Sequence, residues 1–138
     1  MVSGGFRRVV VSGRAQGAVL ATTEPLSFWG GYDAVEGRII DRRHPLVDSE
    51  AAGCILVMPC TRGSSTTTQV LLEAIRRRTA PAAIVTDRVD HFLALASIVA
   101  EELYDRPLPL FVADEASLAS LRSAKRIEVD DEGWRTID

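Results

Sequence analysis

Apolar residues fall in short blocks along this chain, and the blocks change character about a third of the way in. Up to Ala21 they are brief: Val9-Val10-Val11, then Ala18-Val19-Leu20-Ala21, with Gly13 and Gly17 near the break. Such runs predict short strands, and the glycines predict a hairpin or bulge between them. From Thr22 to Asp48 no period holds. Pro25, Gly30-Gly31, Gly37 and Pro45 punctuate a long loop, of a length that in compact domains is often functional.

From Gly53 onward strands and helices alternate. Cys54-Ile55-Leu56-Val57-Met58 is continuously apolar and ends at Pro59, which predicts a strand buried on both faces. Residues Thr66 to Arg78 read as a helix. Val70, Leu71, Ala74 and Ile75 form its apolar stripe, and Arg76-Arg77-Arg78 suit the negative end of its dipole. Ala82 to Thr86 reads as a strand. Asp90 then caps a helix whose stripe is predicted to be Phe92, Leu95, Ala96, Val99 and Leu103. Leu108 to Val112 is a further strand, and Asp114 caps a brief helix carrying Leu118 and Leu121. Lys125 to Val129 and Trp134 to Ile137 close the pattern as strands. The fold class is α/β, with a β-rich N-terminal half and strand–helix repeats in the C-terminal half, the latter implying parallel crossovers. Residues 1–138 are expected to form a single domain.

Composition narrows the function. The chain is 46% hydrophobic and 25% charged, the balance of a folded soluble domain. Sixteen Lys+Arg against 19 Asp+Glu give a net charge of -3, which argues against a nucleic-acid binder. No apolar run is long enough to span a bilayer, and Met1 to Arg8 lacks the apolar core of a signal peptide, so a cytoplasmic location is expected. Cys54 and Cys60 do not make a C-x-x-C motif. Cys54 is expected as a buried strand residue and Cys60 as a loop thiol. With two Cys and two scattered His, no metal site is expected in this chain.

The segment richest in candidate chemistry is Pro59-Cys60-Thr61-Arg62-Gly63-Ser64-Ser65-Thr66-Thr67-Thr68-Gln69, between a strand and a helix. Gly63 permits a tight turn. Thr66 with Gln69 would make a capping box, which leaves Ser64 and Ser65 just ahead of the helix, beside free N–H groups and the positive dipole end. Capping alone accounts for such a cluster, and so does an anion or catalytic site. The segment matches neither a phosphate-binding P-loop nor a nucleophile elbow. A second segment, Glu24 to Asp33, gathers Phe28, Trp29 and Tyr32 in an aromatic-poor chain, either as a satellite core or as an anchor for a partner. A third, Asp41-Arg42-Arg43-His44-Pro45, reads as a solvated turn.

Taken together, Ser27-Phe28-Trp29-Gly30-Gly31, Gly37-Arg38-Ile39-Ile40-Asp41, His44-Pro45-Leu46, Gly53 to Val57 leading to Arg62-Gly63-Ser64-Ser65, and Ala80 to Ile84 resemble the small subunit of aconitase X. The resemblance runs in one register from about Ser12 to Pro109. It implies a swivelling β/β/α domain and a separate aconitase X large subunit holding iron or an iron–sulfur cluster, with no cofactor bound by this chain. The two together would dehydrate a small-molecule hydroxy acid, cis-3-hydroxy-L-proline or mevalonate 5-phosphate. The resemblance implies Ser64 as the catalytic base. Arg62 could then hold a substrate anion, beside the Gly63 turn, and Ser65 and Thr66 could add donors. Many relatives have Gly-Ser where this chain has Thr67-Thr68, which leans the expectation toward the hydroxyproline branch. A stand-alone anion-binding module is the alternative from another class. Phospho-transfer through His91 or His44 is a third, disfavoured because neither His lies in a Gly/Thr-rich setting.

Overall fold

The computed structural model describes residues 1–63 and 65–137. Its elements in chain order are β1 (Ser3–Gly4), β2 (Arg8–Val11), β3 (Ala15–Ala21), β4 (Tyr32–Asp33), β5 (Arg38–Ile39), β6 (Ile55–Val57), α1 (Ser65–Arg77), β7 (Ala83–Thr86), α2 (His91–Tyr104), β8 (Leu110–Val112), α3 (Glu115–Ser123), β9 (Arg126–Asp130) and β10 (Gly133–Thr136). Among the described residues, eight strands form one sheet in the order β1-β10-β9-β3-β6-β7-β8-β2, and β4 pairs with β5 separately. β3, β6, β7 and β8 are parallel, and antiparallel strands flank them on both sides. The α/β class and the parallel crossovers are as the sequence implies.

The central strands are buried on both faces, and their side chains divide between two cores. Leu56, Ile84 and Leu110 join the core beneath α1, α2 and the 22–48 segment. Ile55, Val57, Ala83, Val85 and Phe111 join the core beneath α3, with Ile127, Val129 and Trp134 of β9 and β10. Apolar continuity in these strands thus reflects helices or loops on both sides of the sheet.

Four expectations are corrected. β2 and β3 do not form a hairpin: β2 pairs with β8 at one edge, while β3 lies between β9 and β6. The irregularity falls instead within the β2–β8 pairing, between Val9 and Val11. The 22–48 segment is not a bare loop. It carries the β4–β5 ribbon, and Gly37 in the left-handed region at φ 74° sits where a Cβ would strike Ala52 and the Thr79 carbonyl. Cys54 precedes β6 and is half-buried rather than a buried strand residue.

The fourth correction concerns α2. Its buried face is Leu93, Ala96, Ser97 and Ala100. Of the expected stripe only Ala96 is fully buried, and Leu95 and Leu103 are 51% and 63% exposed. The helix is turned by a polar residue: Ser97 Oγ donates to Leu108 O and accepts from Leu108 N, each at 2.7 Å, in a fully buried position. One hydroxyl satisfies both backbone groups of the residue that leads into β8, which apolar periodicity cannot reveal. Among the described residues no helix is long and apolar enough to cross a membrane.

Ser97→Ala should strand the buried N–H and C=O of Leu108. We expect a loss of roughly 2–4 kcal/mol and a fall in Tm of about 10 °C by thermal denaturation.

Candidate functional site

The loop leaving β6 is fastened from two sides. On one side Leu26 and Thr61 form an isolated parallel bridge: Leu26 N donates to Cys60 O at 3.4 Å, and Arg62 N donates to Leu26 O at 3.0 Å. On the other side Met58 N donates to Val85 O and Asp87 N donates to Pro59 O. Asp90 completes the clasp. Its Oδ1 accepts from Phe92 N and Leu93 N at 3.1 and 3.2 Å, capping α2, while its Oδ2 accepts from Thr61 N at 2.8 Å and Thr61 Oγ1 at 2.6 Å. The sequence marks Asp90 as a cap and gives no sign of its second task.

α1 begins at Ser65, so Thr66 lies inside the first turn and does not cap the helix as expected. Arg62, Gly63 and Ser65 are exposed and Thr66 is half-buried. Ser64, the expected base, lies outside the described residues. Thr67 is buried, and its hydroxyl has no hydrogen-bond partner among the described residues. The same oxygen lies 2.8 Å from where a Cβ on Gly63 would stand. Glycine is therefore required at 63 by close approach. Thr68 Oγ1 donates to Phe92 O at 3.0 Å, holding the start of α1 to the start of α2.

The 22–48 segment brings further groups to this loop. Glu24, Pro25, Asp41, Arg43, His44 and Arg62 line a recess of about 150 Å³. Arg42, Arg43 and Pro45 form the expected exposed turn, but His44 within it is 7% exposed. Its Nδ1 accepts from Leu46 N at 3.1 Å, which puts the proton on Nε2, 3.5 Å from Glu24 O. The three aromatics divide: Phe28 and Tyr32 pack together in the core, their ring centroids 5.1 Å apart, whereas Trp29 is 69% exposed. Phe28 and Tyr32 thus follow the satellite-core reading, and Trp29 lies outside that core. Burial, with Cys54 and Asp33 nearby, pushes the Tyr32 phenol well above its usual range, and its hydroxyl donates to Thr79 O at 2.6 Å. Burial and then Glu50 raise the Cys54 thiol, which marks it as a poor nucleophile. A wider hollow of about 440 Å³, lined by Gly13, Arg14, Asp130, Asp131 and Glu132, lies at the opposite end of the parallel strands and shares no residue with this loop. His91 is exposed at the start of α2, apart from the recess lining. No three His, Cys, Asp or Glu side chains among the described residues come together as a metal-holding group.

Gly63→Ala should cost about 1–3 kcal/mol by overpacking against Thr67, and adding Thr67→Ala should recover a good part of it in a thermal-melt double-mutant cycle. Asp90→Ala should cost roughly 2–4 kcal/mol through loss of the cap and of the bonds to Thr61, whose backbone and hydroxyl can be re-solvated in part, read by denaturant titration.

The chain matches the family described as the aconitase X swivel domain over residues 6–137. It is 48% identical over 103 residues, 75% of its length, to the cis-3-hydroxy-L-proline dehydratase of Pseudomonas aeruginosa, and the match spans 18% of that longer protein. It is 38% identical over 128 residues to the phosphomevalonate dehydratase small subunit of Methanothermobacter thermautotrophicus, covering 91% of this chain and 93% of that one. Its fold superposes on the crystal structure of Thermococcus kodakaraensis aconitase X (holo-form) with a TM-score of 0.81 at 25% identity, covering 99% of this chain and 98% of that chain. Sequence motifs, fold and family match agree, and the chain belongs to the aconitase X swivel-domain family.

Proposed function

We propose that this chain is the small subunit of an aconitase X-type dehydratase, a hydro-lyase inactive without its large subunit. Its substrate in this reading is cis-3-hydroxy-L-proline, and Ser64 is the base. The observation that carries the reading is the clasped loop of residues 58–63, which leads toward α1 and contributes Arg62 to a recess that Arg43 also lines. The name and 48% identity of the Pseudomonas relative support the hydroxyproline branch. The fuller coverage of the Methanothermobacter small subunit favours a second reading, a mevalonate 5-phosphate dehydratase small subunit.

Dehydration removes a proton from one carbon and hydroxide from its neighbour, leaving a carbon–carbon double bond and water. A serine hydroxyl is a weak base until its proton is drawn away, so it needs donors and a positive field. The N–H groups of the first turn of α1 supply that field for an oxyanion in front of them. Arg62 holds an anionic group of the substrate, Gly63 allows the backbone to come close, and Ser65 and Thr66 supply further donors. Iron or an iron–sulfur cluster, as the Lewis acid for the departing hydroxyl, belongs in this reading to the large subunit. The described residues of this chain do not assemble a set that would hold it.

The test is reconstitution with the aconitase X large subunit of the same host. We expect no turnover by the isolated chain and dehydration by the complex. Ser64→Ala should lower kcat by about 10²–10⁴-fold, the usual weight of a general base, with the subunits still co-eluting. Full activity of the chain alone, or normal turnover by the Ser64→Ala complex, would refute the assignment. An isolated chain that binds small anions and ignores the large subunit would point to a stand-alone binding module.

A further inference from the structure

The recess between the 22–48 segment and Arg62 carries charges of both signs. Glu24 and Asp41 line it together with Arg43 and Arg62. Neighbouring arginines and carboxylates ordinarily close on one another, yet none of these four forms an ion pair within 4 Å among the described residues; the pairs that do form, such as Arg38 with Glu36 and Arg76 with Glu73, lie elsewhere. Asp41 spends one oxygen on Arg43 N, at 3.0 Å. Among the described residues its other oxygen and both oxygens of Glu24 accept no side-chain hydrogen bond, and both guanidinium groups donate none. A second feature points the same way. His44 is more than nine-tenths buried on the recess wall, with its proton on Nε2, and among the described residues its acceptor is a backbone carbonyl at the long distance of 3.5 Å. A hydrogen bond this long is weak, so a better-placed acceptor in the recess would bind that proton more strongly.

The recess, of about 150 Å³, has room for a small polar ligand. We propose that this recess reads the substrate as a zwitterion: Arg43, Arg62 and His44 Nε2–H receive a carboxylate, and Glu24 and Asp41 receive the adjacent ammonium. This rests on the dehydratase reading above and adds to it the residues that choose an amino acid. Guanidinium groups suit a planar carboxylate, and a secondary ammonium supplies two donors for two acids. The acids also act against the competing substrate class. A phosphate ester brought to the same recess would place a doubly negative group against two carboxylates, so the site selects by repulsion as well as attraction.

The test uses the reconstituted complex and two competitive inhibitors, L-proline and cyclopentanecarboxylate. The second keeps the ring and carboxylate and lacks the nitrogen. The wild-type complex should bind L-proline more tightly by on the order of 10-fold or more. Glu24→Gln with Asp41→Asn keeps shape and the acceptor for Arg43 N while removing both negative charges. That double variant should bind the two inhibitors equally and raise KM for cis-3-hydroxy-L-proline by on the order of 10- to 100-fold, with kcat within about threefold. Arg43→Gln should weaken both inhibitors by a similar factor. A merely structural role would not erase the preference between inhibitors that differ only in the nitrogen. If the wild-type complex dehydrates the amino acid but the double variant keeps its KM and its preference for L-proline, the zwitterion recess is wrong and the dehydratase reading stands. A wild-type complex that shows no preference between the inhibitors also overturns the recess. Turnover of mevalonate 5-phosphate and not of the amino acid overturns the substrate reading and the recess together.

Discussion

One carboxylate holds the working end of this domain in place. Asp90 stops α2 with one oxygen and grips the backbone and hydroxyl of Thr61 with the other. Among the described residues, the loop after β6 would otherwise have only the bridge to Leu26 and two single backbone bonds to fix it. Through Thr61 the carboxylate reaches Leu26 and so the whole 22–48 segment. Through α2 it reaches the helix pair on that face of the sheet. A charged acceptor serving four donors is stronger than neutral bonds of the same number, and its parts cannot be removed independently. The loop after β6, the 22–48 segment and the start of α2 are therefore tied together through Asp90, and Thr68 ties the start of α1 to α2.

These ties explain where the sequence was legible and where it was not. Strands with β-branched or continuous apolar runs were readable because burial on two faces leaves a one-dimensional trace, and so were the caps at Asp90 and Asp114, whose partners lie within three residues. The rest depends on partners far along the chain. The orientation of α2 was misread because Ser97 answers to Leu108, not to its own helix. His44 looked like a solvated turn because nothing near it in sequence announces that the 22–48 segment folds back over it. Thr66 does not cap because α1 already begins at Ser65, and a run of serine and threonine offers several equivalent starts to a helix. Arg62 and Gly63 were visible from their motif, but Glu24, Asp41 and Arg43 become part of the same neighbourhood only through the bridge to Leu26 and the β4–β5 ribbon. Ser64 rests on the family motif alone.

The two cores of the sheet serve different ends. The core beneath α3 is closed by Trp134 and by Phe6 stacked on Phe111 at 4.4 Å, and it holds the antiparallel strands to the parallel ones. The core beneath α1 and α2 reaches into the 22–48 segment through Leu26, Phe28, Tyr32 and Ile39, so the segment that lines the recess is anchored by the same apolar residues that bury the sheet. Polar function here sits on a rigid apolar footing, and Trp29 is left outside it while its neighbours on both sides of the motif are inside.

β1 and β10 pair at one edge of the sheet, Ser3 opposite Arg135 and Gly4 opposite Trp134, so the two ends of the chain enter the fold side by side. That edge is separated from β6 by β10, β9 and β3, roughly 19 Å at about 4.8 Å per strand. Chain topology is thereby uncoupled from the site. Changes of sequence at that edge would therefore leave the clasped loop and the recess untouched.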